Sequence, residues 1–273
     1  MTDTDPAVVP RAERLVPIER DRYGRPKVVP PGGTKPVAYS RCTTFIKCIE
    51  DTSTLEKWGK RMVLMGAMLD PSITERAAWE SDRETLDGLA EEALVAAKAH
   101  EKRDKGTHLH ALSEIVDRVT SLPGGISDKD RADMRAYRSA TGDLDVTHIE
   151  QFTVLDEFKV AGTPDRLVQV GGRTYIADLK TGRVDYGALT IAMQLAVYSR
   201  SVFYDHLTLT REPLPDVDQD RAVVIHLPSG SGRCELHWVD IAQGWEKVGL
   251  AREVRQARNL KQRHLFEPFG VAS

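Results

Sequence analysis

Two β-rich runs, Val160-Ala-Gly-Thr-Pro-Asp165-Arg-Leu-Val-Gln-Val170 and Arg173-Thr-Tyr-Ile-Ala-Asp178-Leu-Lys180, are joined by Gly171-Gly172. A two-residue primed turn needs positive φ at both central positions, which glycine adopts freely, so the stretch predicts an antiparallel hairpin. With the turn at the two glycines, Val170 faces Arg173, Val168 faces Tyr175 and Asp165 faces Asp178. Directly opposed side chains leave the same face of a sheet about 4.5–5.5 Å apart at Cβ, and like charges there repel. A cation between the carboxylates relieves that repulsion, and hard divalent ions such as Mg²⁺ are often bound through one or two protein carboxylates. Alternation puts Lys180 on the face of Asp178, opposite Thr163.

Two carboxylates and an ammonium in one patch suit phosphodiester hydrolysis. A metal neutralises charge developing on the phosphoryl oxygens, and a lysine orients the nucleophile or stabilises the transition state. The triplet Asp178-Leu179-Lys180 is weak by itself, because Glu157-Phe158-Lys159 has the same form just upstream.

Composition bounds the remaining choices. A chain of 273 residues with 41% hydrophobic and 29% charged residues can bury the core of one large domain and is not disordered. Its net charge of −3 means that polyanion binding must come from a local basic surface. Cys42, Cys48 and Cys234 form neither a disulfide framework nor a close-spaced zinc site, which fits a reducing, cytoplasmic location. No apolar run approaches the roughly 20 residues that span a bilayer, and no signal-type segment opens the chain, so no membrane association is expected.

Residues 1–38 are rich in proline and charge and read as an extended arm with one short hairpin near Tyr23-Gly24-Arg25-Pro26. Residues 39–145 carry helical periodicity. Within them Thr54 to Leu69 predicts a helix packed through Leu55, Trp58, Met62, Met65 and Met68, and Asp104 can cap another that runs to about Thr120. That second helix predicts a core stripe of Leu112, Ile115, Val116 and Val119 beside a polar stripe of His110, Glu114 and Asp117. A neutral imidazole at His110 suits a divalent ion, particularly Mn²⁺; His108 serves as its control. Residues 146–265 switch to strands and helices, and 266–273 form a tail.

Val146 to Phe158 predicts one long strand, on which Glu150 is either a solvated edge residue or a neighbour of the acidic patch. Asp185 to about Phe203 predicts a helix carrying Gln194 and Tyr198 four residues apart on one side. Arg221 to Leu227 and Arg233 to Val239 predict two more strands. The last helix, Ile241 to about Leu260, ends in Arg252, Arg255, Arg258, Lys261, Arg263 and His264, either a solvated face or a phosphate track.

In order, Gly106-x-x-x-His110, Gly162-x-x-Asp165, Asp178-Leu-Lys180 and Gln194-x-x-x-Tyr198 resemble the PD-(D/E)XK nuclease superfamily, in particular its RecB-like branch with CRISPR-associated and compact phage exonucleases. The resemblance covers residues 106 to 198. It implies an α/β fold, a mixed central β-sheet flanked by helices, and DNA cleavage with Mg²⁺ or Mn²⁺. It further implies His110, Asp165, Asp178 and the Leu179 carbonyl as metal ligands and Lys180 as the catalytic lysine. Gln194 and Tyr198 would hold the strand or support the site, with Glu150, Glu114, Arg252 and Arg255 as weaker candidates. Many relatives bind an iron–sulfur cluster through one cysteine before the core and three after it. Only Cys234 follows the core here, so no iron–sulfur cluster is expected. No Gly-x-x-x-x-Gly-Lys-[Ser/Thr] loop is present, so unwinding would fall to a separate helicase or recombinase partner. The competing class is a non-catalytic nucleic-acid-binding protein on the same fold.

Overall fold

The computed structural model describes residues 17–80, 82–119, 122, 124–260, 265 and 270. Residues 1–16 of the arm, the basic residues Lys261, Arg263 and His264, and most of the tail lie outside the described residues.

The Gly171-Gly172 turn forms as its chemistry requires, with φ of 57° and 79°. Around it β7 (Arg166–Val170) pairs with β8 (Arg173–Lys180), Val170 opposite Arg173, Val168 opposite Tyr175 and Arg166 opposite Ala177. The ladder stops there, one pair short of Asp165 and Asp178. Lys180 is accordingly not opposite Thr163; it pairs with His226 of β11 (Arg221–His226), which runs parallel to β8. β4 (Asp145–Ile149) lies outside β7, and β12 (Glu235–Asp240) outside β11, so the sheet order is β12-β11-β8-β7-β4.

Each face of this sheet buries a different set of helices. Leu167 and Ile176 pack with α7 (Ala188–Ser199), α8 (Ile241–Asn259) and α1 (Cys42–Ile46). Val168, Tyr175, Ala177 and Leu179 pack with Leu109 and Leu112 of α5 (Glu101–Arg118) and Met134 and Tyr137 of α6 (Asp128–Thr141). Side-chain caps fix several helix starts: Ser127 accepts from Asp130 N for α6, and Asp240 from Gln243 N for α8.

A second five-stranded mixed sheet abuts the first. It comprises β3 (Ser40–Arg41), β5 (Thr153–Leu155), β6 (Val160–Gly162), β9 (Val202–Tyr204) and β10 (Arg211–Pro213), in the order β10-β9-β5-β6-β3. The expected mixed sheet flanked by helices is therefore present as two sheets. The single strand expected from Val146 to Phe158 is divided between them. Glu150 takes φ 53°, the chain leaves β4, and β5 starts in the other sheet before a 3-10 turn at Asp156–Phe158. The helix expected to reach Phe203 stops at Ser199, and Val202 and Phe203 pair in β9 instead. β1 (Lys27–Val28) and β2 (Val37–Ala38) form a small hairpin, and Val28 is buried with Tyr39, Val154, Ala161 and Tyr204.

α2 (Ser53–Leu69), α3 (Pro71–Ala78) and α4 (Arg83–Ala96) form a separate helical layer. Its interior corrects the expected methionine core, since Leu55, Met65 and Met68 are exposed. The buried side of α2 is instead its small-residue side. Val63 and Ala67 pack with Ile73, Leu89 and Ala93, and a Cβ at Gly66 would strike the Ala93 backbone at 1.8 Å. Close backbone approach, rather than large side chains, determines which face turns inward.

Candidate active site

The site lies where β7 begins and β8 ends. Asp165 immediately precedes β7, and its Oδ2 accepts a 2.8 Å hydrogen bond from the Leu179 N–H, so it is tied to β8 beside Asp178. Alternation along the strands puts Asp165, Leu167, Ile176 and Asp178 on one face and Arg166, Val168, Ala177 and Leu179 on the other. Burial pushes both carboxylates up from their ordinary range. Asp178 reaches about 6, through burial first and the charge of Asp165 second, opposed by Lys180.

Lys180 ion-pairs with Asp178 and donates to Gln194 Oε1 at 3.5 Å; Gln194 Nε2 lies 3.5 Å from Asp178 Oδ1. Gln194 thus joins acid and lysine from α7. One turn on, Tyr198 is buried, and burial holds its phenol well above the usual value and therefore protonated. Gly162 permits that packing, because a Cβ there would meet the Tyr198 ring and hydroxyl at 2.8 Å. Tyr198 lies inside the protein and supports Gln194 rather than reaching outward.

From the opposite side α5 brings His110, whose Nδ1 is 3.3 Å from Asp165 Oδ2. Burial lowers its pKa, favouring the neutral ring. Four residues earlier, Gly106 lets α5 close on the end of β8, where a Cβ would sit 2.9 Å from Thr181 Oγ1. His108 points elsewhere, to Asp130 at 3.3 Å. His110, Glu114 and Glu150 line one cavity of about 1070 Å³ with Thr181, Arg183 and His226. Glu150 is half-buried, its N–H donates to Asp165 O at 3.0 Å, and burial followed by the charges of Asp165 and Glu114 raises its pKa to about 8.

The structure does not bring Arg252 and Arg255 to this cavity. Arg252 bonds Glu157 at 3.0 Å and stacks on Phe158; Arg255 donates to Thr44 O and Ser40 Oγ and covers Phe45. Both fasten α8 to the body of the fold.

The expected stripes of α5 also need correction. Asp117 is not part of the outer polar stripe, and Ile115 and Val119 are exposed. Asp117 turns inward to Arg166 Nε at 2.6 Å and accepts from Tyr137 Oη at 2.9 Å, while Arg166 Nη2 reaches Ser113 Oγ at 2.6 Å. This buried network beneath Asp165 has one sequence signal: alternation sends Arg166 to the face opposite Asp165, where only an acid can accommodate it.

The donors match the chemistry of a hard divalent cation. They comprise two buried carboxylates with raised pKa values, a neutral imidazole, and an Asp178 Oδ2 buried without a hydrogen bond although Lys180 lies against it. Among the described residues, no three His, Cys, Asp or Glu side chains converge as a ready-made ion cage. The carboxylates are contacted separately instead, Asp165 by His110 and the Leu179 N–H, and Asp178 by Lys180.

The family model of the PD-(D/E)XK nuclease superfamily matches residues 72–205. The matched region takes in His110, Asp165, Asp178, Lys180, Gln194 and Tyr198, so this part of the chain is similar to a superfamily whose members are nucleases that generally use divalent metal ions and act on DNA. No curated protein matches the chain. Among the described residues no helix is long and apolar enough to cross a membrane.

Proposed function

We propose that this chain is a Mg²⁺- or Mn²⁺-dependent deoxyribonuclease, an exonuclease that hydrolyses phosphodiester bonds at DNA ends in recombination, repair or phage DNA processing. The observation that carries the reading is the meeting of Asp165, Asp178, Lys180 and His110 at one strand end inside the matched region. Asp165, Asp178, His110 and the Leu179 carbonyl would hold the ion. Once bound, it supplies Lewis-acid stabilisation of the charge that builds on the phosphoryl oxygens.

The remaining work falls to the chain's own groups. Lys180, held by Asp178 and Gln194, presents an ammonium to the attacking water or the developing negative charge. Tyr198 and Gln194 keep that lysine in register from α7. The Leu179 N–H fixes the Asp165 carboxylate, and burial keeps His110 able to offer a lone pair. The cytoplasm, or the host cytoplasm for a phage protein, is the expected setting, with a separate helicase or recombinase as partner.

End-labelled single- and double-stranded DNA incubated with the protein and Mg²⁺ or Mn²⁺ tests this. Shortening from the ends that disappears in Asp178→Ala and Lys180→Ala, while DNA binding persists, is the expected result. His110→Ala should abolish metal-dependent cutting and His108→Ala should not. Metal-independent binding without any cleavage would instead assign the chain to the non-catalytic binders.

A further inference from the structure

The cavity beside His110 is charged in opposite senses at its floor and its rim. Glu114 and Glu150 lie at the floor, whereas Lys102 and Lys105 from the first turns of α5 and Arg183 from the segment after β8 line the rim. The rim cations have only weak competition from within the chain. Lys105 meets Glu101 at 3.6 Å and Arg183 meets Asp185 at 3.7 Å, all highly exposed and therefore well screened. Beside them stands Tyr186, 84% exposed, on the 3-10 turn Asp185–Gly187 that leads into α7. The Arg183 guanidinium lies 4.5 Å from its ring centroid, leaving the ring solvent-accessible beside the cavity mouth.

A positively charged rim joined to an exposed aromatic ring matches the chemistry of a single nucleic-acid strand, whose phosphates need cations and whose unpaired bases need a flat apolar surface. We propose that Arg183 and Tyr186 grip the DNA strand next to the cleaved bond, Tyr186 stacking on an unpaired base while Arg183, Lys102 and Lys105 take the adjoining phosphates. This rests on the nuclease reading and adds to it a preference for an unpaired end at the mouth. Along α5, the eight steps from Lys102 to His110 rise about 12 Å. That span is long enough for the rim cations and His110 to face successive phosphates of one strand.

The test uses the full chain carrying Asp178→Asn, so that DNA is not consumed, and labelled oligonucleotides followed by fluorescence anisotropy. Adding Tyr186→Ala should weaken single-strand binding about tenfold and abolish the quenching of a 2-aminopurine placed near the end. Tyr186→Phe should retain both, because the ring rather than the hydroxyl does the stacking. Arg183→Ala should lower the salt slope by about 0.7. Tyr23 is the matched control, an exposed ring with Arg22 and Arg25 over it, and Tyr23→Ala should change nothing.

Unaltered binding in Tyr186→Ala, an equal loss in Tyr23→Ala, or an equal loss on blunt duplex would each overturn the platform. Turnover of bis(p-nitrophenyl) phosphate and of DNA by the unsubstituted chain reports separately on cleavage. Turnover together with an indifferent Tyr186 removes the platform and keeps the nuclease. A responsive Tyr186 without turnover of either substrate removes the nuclease and keeps the platform.

Discussion

Asp165 and Arg166 are neighbours in the chain, yet they point to opposite faces of the same sheet and enter two very different ionic environments. Arg166 is buried with Asp117 at 2.6 Å, Ser113 at 2.6 Å and the face of Tyr137 at 5.5 Å, its charge met by an opposite one although its Nη1 has no hydrogen-bond partner. Asp165 and Asp178 are buried beside each other, their charge compensated only in part by Lys180 while His110 stays neutral, and both resist ionisation. The first arrangement holds α5 and α6 to β7. The second keeps like charges together beside His110, which lines the cavity, an expense that stability alone does not justify and that perturbed titration at a functional site does.

The largest expected effect separates the two directly. Asp117→Ala leaves the Arg166 charge buried and unpaired and should cost about 3–5 kcal/mol in urea denaturation at pH 7.5. Asp178→Asn should cost nothing or stabilise. The sign follows from its folded pKa of about 6, raised above the ordinary 3.8. Its contribution to stability is complete below the unfolded value and is lost as pH rises through about 6, so at pH 7.5 the ionised side chain opposes folding. An Asp178→Asn loss as large as that of Asp117→Ala would show that the acidic pair is a structural element like its neighbour.

The same contrast explains what could be read without coordinates. The hairpin register was legible because two glycines leave one turn geometry open, and three of the four site motifs were legible because each lies on one element, α5, β8 or α7, whereas Gly162-x-x-Asp165 crosses from β6 to the loop before β7. The small sheet was not, because its strands have two or three residues and most pair with partners far away in sequence. Nor was the break at Glu150, where the backbone turns to φ 53° without a glycine or proline to mark it. The inward turn of Asp117 was hidden too, since helical periodicity ranks an aspartate as polar and outward unless a buried arginine elsewhere claims it. Methionine spacing on α2 misled for the opposite reason: apolar period reveals an amphipathic face but not whether small residues on the other side pack more closely.

A smaller, pH-graded effect is expected at Glu150, which stands between the two environments. Its pKa is raised from 4.5 to about 8 by burial and by Asp165 and Glu114. The stability it contributes is complete below about 4.5 and is lost as pH rises through about 8. Glu150→Gln should therefore raise Tm by a few degrees at pH 9, about the size of a 1 kcal/mol change after allowing for its partial exposure, and by little at pH 4. A pH-independent shift in thermal melts would mean that the gain came from packing, and that Glu150 does not share the acidic pair's field.

The smallest expected effect concerns the two basic surfaces. Arg183 points to solvent beside the cavity, whereas Arg255 spends its donors on Thr44 O at 3.3 Å and Ser40 Oγ at 2.9 Å. A guanidinium whose Nη groups are aimed at its own fold is not placed to meet a phosphate, so Arg255→Ala should leave the salt slope of oligonucleotide binding unchanged. It should lower stability by about 1 kcal/mol, the scale of hydrogen bonds at a partly exposed position. A slope reduced as much as by Arg183→Ala would place a second phosphate contact on α8. The strand would then run across the α1–α8 side of the molecule as well as over the mouth of the cavity.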